Sequence, residues 1–429
     1  MSWKTVKLIE VCCIEKGNTG IMKAIPGDYP MVTMAEERKT HNEYQFDAKA
    51  IIIPMVSGSG HGKASINRIH YQEGKFAVGT ILCVVIPKDH DVLEPLFLYH
   101  YCDVFKEELF VPLMRGMANV TLPMKALEEL EIPLPPIDFQ RKWVAKFEHI
   151  SEKQTVLRTE LTHQQSLLTR LRQSILQEAV QGQLTTQWRQ ANPNQEPASE
   201  LLRRIQAEKA ATGKKEKPLP PVKAEEMPFE LPEGWVWCRL GEICSFLNGY
   251  AFKSELFKNA GIKLLRNINM GVSKIVWNET AYLPNEEAEK YKGYNLEEND
   301  IVLSLDRPII SEGLKVAIVK NKDLPCLLLQ RVLKIVPLGG IQHKYVFNWF
   351  NTNLFINKIN PERSIGIPHI SHKEVENILF PLPPLPEQAA IVAQVERLVG
   401  LVGQLESEAA GQRVQAEGLL QAALREAMG

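Results

Sequence analysis

The chain repeats one segment at an offset of 248 residues, and this repeat limits the possible folds more than any other feature. One copy begins ELEIPLPPIDFQRKWVAKFEHI and the other begins NILFPLPPLPEQAAIVAQVERL. The alignment runs without a gap, and the aligned pairs include Pro135 with Pro383, Gln140 with Gln388, Glu148 with Glu396, Leu171 with Leu419 and Ala179 with Ala427. The chain therefore contains two related halves.

A weaker similarity marks the start of each half. SWKTVKLIEVCC near the N-terminus parallels GWVWCRLGEICS, and this alignment matches Trp3 with Trp235 and Cys12 with Cys244. Each half therefore consists of a globular segment, a PLPP tetrapeptide and a long polar segment. The two globular segments share little else. A repeated frame around divergent segments indicates one scaffold that presents two different specificities.

Long helices are predicted after both PLPP tetrapeptides, because proline favours an extended chain and cannot continue a helix. In both copies apolar residues recur at alternating steps of three and four, as in a coiled coil, and Gln164 and Gln412 occupy the same point of the two seams. Two helices of ~40 residues, each about 60 Å long, would pack antiparallel as a rigid spacer with one head at each end. The alternative is two unrelated amphipathic helices, each lying on its own domain. The predicted helix-pairing residues are Phe147, Ile150, Leu157, Leu161, Leu168, Leu171, Val395, Leu398, Val402, Leu405 and Leu419.

The globular segments are predicted to be α+β heads with a small twisted sheet. AIIIPMV, GTILCVVI, DIVLSL and CLLLQRVLKIV are short β-rich runs, whereas LEPLFLYHYCDVF and HKYVFNWFNTNLFINKI have helical spacing. Between the halves, ASELLRRIQAEKAA predicts a short helix and KKEKPLPPVKAEE predicts a linker. We expect a first head (1–136), a first spacer helix (137–182), a short helix with a Pro- and charge-rich linker (183–232), a second head (233–384) and a second spacer helix (385–429).

The totals for the whole chain restrict its class less than the repeat does. Its 429 residues suffice for two or three domains, and a net charge of −1 gives no overall basic signal. Local basic stripes can still bind nucleic acid. Seven cysteines without a CxxC pair favour buried thiols in a reducing compartment. The N-terminus does not resemble a signal peptide and no stretch has the ~20 apolar residues of a membrane span, so we expect a cytoplasmic protein.

The sequence lacks recognisable catalytic and metal-binding motifs. SGSGHGKAS superficially resembles a phosphate loop, but GxxxxGK[ST] requires glycine at Ser57 and a hydroxyl at Ala64. No Pro-Pro is preceded by Asn or Asp, as an amino-methyltransferase would need, and the histidines lack zinc-site spacing. A nucleophile elbow is also missing. These observations favour a protein without catalytic groups, metal or cofactor.

Residues suited to DNA contact cluster in glycine-bearing loops. Amides and cations read base edges and hold phosphates, and aromatic side chains accompany them here. SLDRPIISEGLK also offers Lys315, and NPERSIGIPHISHKE also offers His372. For any one residue, a solvated surface side chain is the plainer interpretation. The predicted DNA-binding residues are Ser57, His61, Lys63, Arg68, Arg115 and Asn119 in the first head, and Asn248, Tyr250, Lys253, Arg266, Asn267, Asn269, Arg307, Arg363, Ser364 and His369 in the second.

With repeats and linker in place, the chain resembles the specificity subunit of type I restriction–modification systems. The resemblance is carried by PLPPIDFQRKWVAKFE, PLPPLPEQAAIVAQVERL, RLRQSILQEAVQGQLTTQWR, EPASELLRRIQAEK, KKEKPLPP, PFELPEGWVWCRLGEI and DIVLSLDRP. It covers the full length, is most specific from about residue 132 to 245, and is weakest within the heads.

The resemblance implies two target-recognition domains that each read half of an asymmetric, bipartite DNA sequence. It also implies that the paired helices dock two methyltransferase subunits, which bind S-adenosylmethionine and methylate adenine. Restriction subunits would complete a host-defence complex that cleaves unmethylated DNA with ATP and Mg²⁺, in a bacterial or archaeal cytoplasm. Two other classes stay open from the residues alone: a stand-alone DNA modification enzyme, and a coiled-coil structural adaptor without a DNA role.

Overall fold

The computed structural model describes residues 3–58, 63–117, 120–211, 218–359 and 369–428. The chain forms two compact units, unit one with residues 1–163 and 409–429 and unit two with residues 164–408. Within the described residues, none of the helices has the length and apolar character needed to cross a membrane. Each unit contains one predicted head and part of both long helices.

Unit one contains the first head, the start of the first long helix and the end of the second. Its strands are β1 (Thr5–Lys7), β2 (Cys12–Lys16), β3 (Tyr29–Val32), β4 (Lys39–His41), β5 (Phe46–Asp47), β6 (Ala50–Pro54), β7 (His70–Gln72), β8 (Lys75–Val78), β9 (Leu82–Pro87) and β10 (Glu131–Pro133). Its helices are α1 (Leu8–Val11), α2 (Pro95–Val104), α3 (Lys106–Phe110), α4 (Met124–Glu128) and the first part of α5 (Ile137–Val180).

Unit two contains the segment between the halves and the second head. Its helices are α6 (Thr186–Ala191), α7 (Ala198–Ala211), α8 (Leu240–Ile243), α9 (Asn285–Ala288), α10 (His343–Phe350), α11 (Asn353–Ile356), α12 (His372–Asn377) and most of α13 (Leu385–Met428). Its strands are β11 (Val236–Arg239), β12 (Cys244–Asn248), β13 (Ile262–Leu265), β14 (Ala281–Leu283), β15 (Ile301–Ser304), β16 (Ile309–Ile310), β17 (Gly313–Leu314), β18 (Val316–Ile318), β19 (Cys326–Leu328), β20 (Val332–Pro337) and β21 (Leu379–Leu382).

The two heads have the same sheet topology despite their dissimilar sequences. The four-stranded sheet has the order β2-β9-β6-β7 in the first head and β12-β20-β15-β18 in the second. A short antiparallel pair accompanies it, β1 with β10 and β11 with β21. A parallel pair follows the same plan, β3 with β8 and β13 with β19. The predicted α+β fold is confirmed, and the relation between the halves extends into their heads.

The central strand of each sheet is buried on both faces, which explains its continuous apolar sequence. In β6, Ile51 and Ile53 pack into a cluster with α2 and α5, whereas Ile52 packs against Phe76 on the other face. In β15, alternate residues likewise enter two different clusters. All seven cysteines are free thiols and six are buried. Because side chains alternate along a strand, one run of apolar residues fills two cores.

A buried glutamine joins each head to its long helix. Gln140 Nε2 donates to the carbonyls of Pro135 (2.8 Å) and Val92 (3.0 Å), and its Oε1 accepts from the backbone N–H of Glu94 (2.8 Å). Gln388, in the second copy, has the matching contacts: Nε2 donates to the Pro383 carbonyl (2.9 Å) and Oε1 accepts from the Gln342 N–H (3.0 Å). Glu94 and Gln342 are the N-terminal caps of α2 and α10. This contact explains why PLPPxxxQ recurs.

The long helices run antiparallel where they meet in unit two. Arg172 contacts Glu406 (2.7 Å), and Thr185 contacts Glu387 (2.7 Å). Thr185 follows Arg172 in the chain, whereas its partner Glu387 precedes Glu406, so the two segments run in opposite directions. The predicted antiparallel pair of long helices is therefore present here, within α5 and α13. The segment after α5 also packs against the start of α13, because buried Glu387 accepts from Thr185, Arg189 and Trp235.

The chain itself buries only part of the predicted helix-pairing seam. Leu161, Val395 and Val402 are buried, whereas Phe147, Ile150, Leu168 and Leu398 are half-buried. Leu157, Leu171 and Leu405 stay 42%, 47% and 49% exposed. The side chain of Leu419 lies outside the described part. Leu168, Val395 and Val402 pack into the core of unit two, whereas Phe147 packs on His100 of the first head, and three leucines of the predicted seam stay on the surface.

Candidate nucleic-acid interface

The strand register of the second head brings distant polar residues to one edge of its four-stranded sheet. Asn248 ends β12 opposite Leu333, and Ser304 ends β15 opposite Val332. Lys315 and Arg331 directly precede β18 and β20, which run in the opposite direction. The ends of β12 and β15 therefore lie beside the starts of β18 and β20. We call this edge, with the loops that continue from it, the loaded edge of the second head.

Asp306 is the centre of the loaded edge. Its Oδ1 lies 2.6 Å from His369 Nδ1, and its Oδ2 lies 3.6 Å from Arg331 Nε. The backbones of Asp306 and His369 also pair as an isolated antiparallel bridge. Arg307 follows with an exposed side chain and a left-handed backbone (φ 43°). Cations and a histidine thus surround one carboxylate on an exposed surface.

A buried lysine lies beneath this surface. Lys315 Nζ donates to Asn267 Oδ1 (2.7 Å), and the buried hydroxyl of Ser304 donates to the same oxygen and to the Asp306 carbonyl (2.7 Å). Burial lowers the pKa of Lys315, as does nearby Arg307, while Asp306 acts in the opposite direction. Asn267 is therefore held by two donors, and Lys315 adds positive charge under the edge.

Asn248 and Tyr250 continue the edge on the β12 side. Asn248 Nδ2 lies 2.9 Å from His372 Nδ1. Tyr250 is 38% exposed and packs at ring-centroid distances of 5.0 Å from Phe252 and 4.7 Å from Tyr291. Lys253 is exposed beyond it. A rigid aromatic surface and a free-standing lysine are suited to packing on sugars or bases and to holding phosphate.

Arg266 and Asn269 shape a loop of the second head. Asn269 is 1% exposed, its Nδ2 donates to the Val276 carbonyl (3.0 Å), and its Oδ1 accepts from the Arg266 N–H (3.2 Å). Arg266 donates to the Glu279 carbonyl, and its Nε is buried without a partner within the described residues. Both side chains are therefore used mainly inside the head, and Asn269 presents nothing at the surface.

The first head brings its predicted residues together in an equivalent place. The Ser57 N–H donates to the Val120 carbonyl (2.9 Å), and Arg115 pairs with Thr121, so the two predicted loops lie side by side. The Ser57 hydroxyl donates to the Lys63 carbonyl (2.5 Å) and accepts from the Ser65 N–H (3.2 Å). Ser57 therefore closes its loop, while Lys63 and Arg115 are exposed.

Arg68, two residues before β7, lines a polar pocket of about 350 Å³. It forms an ion pair with Glu36 (2.8 Å), and Arg38 lies 3.1 Å from Nδ1 of His70, a buried residue of the same pocket. Burial lowers the pKa of His70 to about 4, and Arg38 and Arg68 add to this effect. A neutral histidine thus lies between two arginines, in a pocket that the carboxylates Glu36 and Asp103 also line.

Four predicted DNA-binding residues lie outside the described residues: His61, Asn119, Arg363 and Ser364. The sequence reasoning also missed residues that the structure places at these edges, namely Asp306 and Arg331 in the second head and Lys16 and Arg38 in the first. Arg331 could have been found in the sequence, because it directly precedes an apolar strand and residues at strand ends are often exposed. No cluster of three or more His, Cys, Asp or Glu able to hold a metal occurs in the described part of the chain.

Comparison with known proteins gives a consistent result. The family described as "Type I restriction modification DNA specificity domain" matches residues 1–164 and 232–409. The EcoAI specificity subunit of Escherichia coli is 52% identical over 235 residues, which is 53% of this chain and 39% of that relative. The EcoDI specificity subunit of Escherichia coli is 26% identical over all of this chain and 88% of that relative.

Two solved structures share the fold along nearly the whole chain. One comes from work on complex assembly and conformational transition of a type I R-M system, with a TM-score of 0.64, 20% identity and coverage of 99% of this chain and 97% of that one. The other is the HsdS subunit from Thermoanaerobacter tengcongensis, with a TM-score of 0.51, 20% identity and coverage of 99% and 96%.

Proposed function

The chain belongs to the type I restriction–modification DNA specificity family, and on that basis we propose that it is the non-catalytic, sequence-specific DNA-binding subunit of a type I restriction–modification complex. Each head reads one half of a bipartite, asymmetric target. The family resemblance recognised in the PLPP repeats and the central segment is confirmed by the match over both halves. The EcoAI and EcoDI relatives are specificity subunits.

One observation carries the proposal: the same edge of the same sheet gathers DNA-compatible groups in both heads. In the second head these are Asn248, Arg307, Lys315, Arg331 and His369, and in the first they are Lys16, Lys63, Arg68 and Arg115. Arginine and lysine hold phosphates, and asparagine, histidine and arginine reach base edges. Local charge of this kind is compatible with a net charge of −1.

The chemistry belongs to partners in this proposal. Two methyltransferase subunits bind S-adenosylmethionine and methylate adenine, restriction subunits use ATP and Mg²⁺, and the complex works in the bacterial or archaeal cytoplasm. The exposed leucines Leu157, Leu171 and Leu405 support docking on the long helices, because exposed apolar rows mark protein contacts. The chain itself then needs neither cofactor nor metal.

The long helices set the spacing of the half-sites in this proposal. Four residues inserted after Leu161 add about 6 Å of helix, which corresponds to one to two base pairs at about 3.4 Å each. The half-sites should stay the same while the gap grows. Two inserted residues should disable assembly, because they rotate Leu168 out of the seam. An unchanged gap in an active four-residue variant would show that the helices do not measure the distance.

The experiment that tests the proposed function compares the purified chain with its complex. Methylome sequencing of a host that expresses the chain and its methyltransferase partners should reveal one bipartite adenine-methylated motif, and the motif should vanish when only the chain is deleted. The chain alone should transfer no methyl group. Methyl transfer by the pure chain would favour a stand-alone enzyme, and motif methylation without the chain would favour a structural adaptor.

A further inference from the structure

Two arginines of the loaded edge have a backbone conformation that arginine rarely adopts. Arg307 and Arg331 have φ angles of 43° and 72°. A Cβ makes this left-handed region unfavourable, whereas glycine and asparagine enter it readily. Such strain persists where the surrounding structure enforces it, and it concentrates at functional sites. The presence of arginine at these two strained positions therefore points to a use for the side chain.

Arg331 is also oriented by a carboxylate. Asp306 Oδ2 lies 3.6 Å from Arg331 Nε, while Asp306 Oδ1 is fixed by His369 at 2.6 Å. The Arg331 side chain is 53% exposed, so this ion pair contributes little stability. Its effect is geometric, because Asp306 lies nearest to Nε and the two terminal nitrogens make no hydrogen bond within the described residues.

We propose that Arg331, oriented by Asp306, reads a guanine in the half-site bound by the second head. The two terminal N–H groups of arginine donate in parallel to O6 and N7 of guanine in the major groove, which is the commonest specific contact of this side chain. Asp306 does not touch the base in this contact; it is a positioning residue that orients the Arg331 side chain. The inference rests on the proposed DNA-binding function and adds a residue and a base to it.

A base-reading role separates Arg331 from the other cations of the edge. A phosphate contact needs only positive charge, which an exposed lysine supplies without left-handed strain. A planar pair of donors needs arginine and a fixed orientation. The exposed side chain of Lys253, which makes no hydrogen bond or ion pair within the described residues, has the character of a phosphate contact instead.

The test uses the assembled methyltransferase complex with Arg331→Asn, Arg331→Lys and Asp306→Asn variants of the chain. Arg331→Asn should reduce methylation of the cognate site about ten- to a hundred-fold, and one G·C position of the second half-site should become degenerate in the methylome. Arg331→Lys should show the same degeneracy despite its charge. Asp306→Asn should weaken the discrimination less. The thermal midpoint of the Arg331→Asn variant should stay unchanged or rise, because asparagine relieves the strain.

Asn299→Gly is the matched control, since Asn299 has φ 73° at the opposite end of β15. It should leave the motif and the methylation rate unchanged. Retention of the complete motif by Arg331→Asn would overturn the inference. A second result would also overturn it. If Arg331→Asn lost affinity equally for every DNA sequence and Arg331→Lys restored that affinity, the pattern would mark a phosphate contact. Failure of the wild-type complex to methylate any bipartite motif would instead contradict the proposed function.

Discussion

The two heads share one scaffold but present different chemistry at the same edge. Strand register makes Lys315 of the second head equivalent to Arg68 of the first, and Arg331 equivalent to Ile81. Both heads therefore have a cation before the edge strand of the sheet, Lys315 before β18 and Arg68 before β7. The difference is Arg331, which the first head replaces with an apolar residue.

The centre of the edge differs in the same way. Asp306 and His369 pair as an isolated bridge in the second head, and Val56 and Thr121 form that bridge in the first. A glycine after the first strand of each sheet, Gly17 or Gly249, is retained in both, because a Cβ there would lie 2.3 Å or 2.1 Å from a backbone oxygen. The backbone of the edge is therefore common to both heads, while the side chains that would meet DNA differ.

The largest expected effect comes from exchanging a whole head. Replacement of residues 1–130 with the same region of a relative should change one half of the methylated motif and leave the other half intact, because each head has its own cores and its own edge. Methylome sequencing of a host with the chimaera measures this. A simultaneous change in both halves of the motif would show that the two heads do not read DNA independently.

The second prediction concerns the junctions between heads and helices. Glu387 is 1% exposed and accepts from Thr185, Arg189 and Trp235, whereas its counterpart Phe139 packs on the ring of Trp3 at 4.8 Å. Glu387→Ala should reduce the free energy of unfolding by about 3 kcal/mol, because the buried Thr185 hydroxyl and Trp235 N–H lose their acceptor and half-buried Arg189 loses its carboxylate. Phe139→Ala, at a half-buried ring, should cost less. Denaturant unfolding of both variants checks the order, and equal losses would contradict it.

The sequence predicted these junctions only in part. The offset of 248 residues aligned Gln140 with Gln388, but periodicity cannot show that both side chains cap a distant helix. Leu157, Leu171 and Leu405 were predicted to pair the helices, yet they are exposed, because a heptad pattern does not tell a contact within the chain from a contact with a partner. Asp306 and Arg331 come together only through strand register, which a single sequence does not specify.

The third prediction compares the two buried glutamines. Gln140 makes three hydrogen bonds and Gln388 makes two. Each Gln→Ala substitution should cost about 1–3 kcal/mol, because the cap N–H of α2 or α10 loses its acceptor inside the protein. Gln140→Ala should be the costlier by roughly 1 kcal/mol, about one hydrogen bond. Urea unfolding of the two variants decides the order. A larger loss of stability for Gln388→Ala would show that the number of hydrogen bonds does not set the cost.

The fourth prediction is that mild acid weakens the first head more than the second. Burial lowers the pKa of His70 and of His100 to about 4. Below the ordinary pKa of about 6.5, these histidines are protonated in the unfolded chain but stay neutral in the folded head. Stability is therefore complete above pH 6.5 and falls as the pH decreases toward 4. The loss is on the order of 1 kcal/mol per histidine.

Hydrogen exchange at pH 7 and pH 5, corrected for intrinsic rates, should show this loss in β6 and β7 but not in β15 and β18. The His70→Gln variant supplies the control, because glutamine cannot titrate and should flatten the pH dependence of β7. Equal acid sensitivity of both heads, or a steep pH dependence that survives in His70→Gln, would contradict the assignment to these histidines.

The smallest expected effect is at the ion pair that joins the long helices, Arg172 with Glu406 at 2.7 Å. Both side chains are about one-third exposed (35% and 36%), so solvent screens the pair and its coupling should be about 0.3–1 kcal/mol. A double-mutant cycle with Arg172→Met and Glu406→Gln, measured by urea unfolding at low and high salt, isolates this coupling. It should decrease with salt, since the charges are accessible. A coupling several times larger would mean that the helices are held mainly by charge. The small value expected leaves that role to apolar packing, in which half-buried Leu168 lies in the same cluster as buried Val395 and Val402.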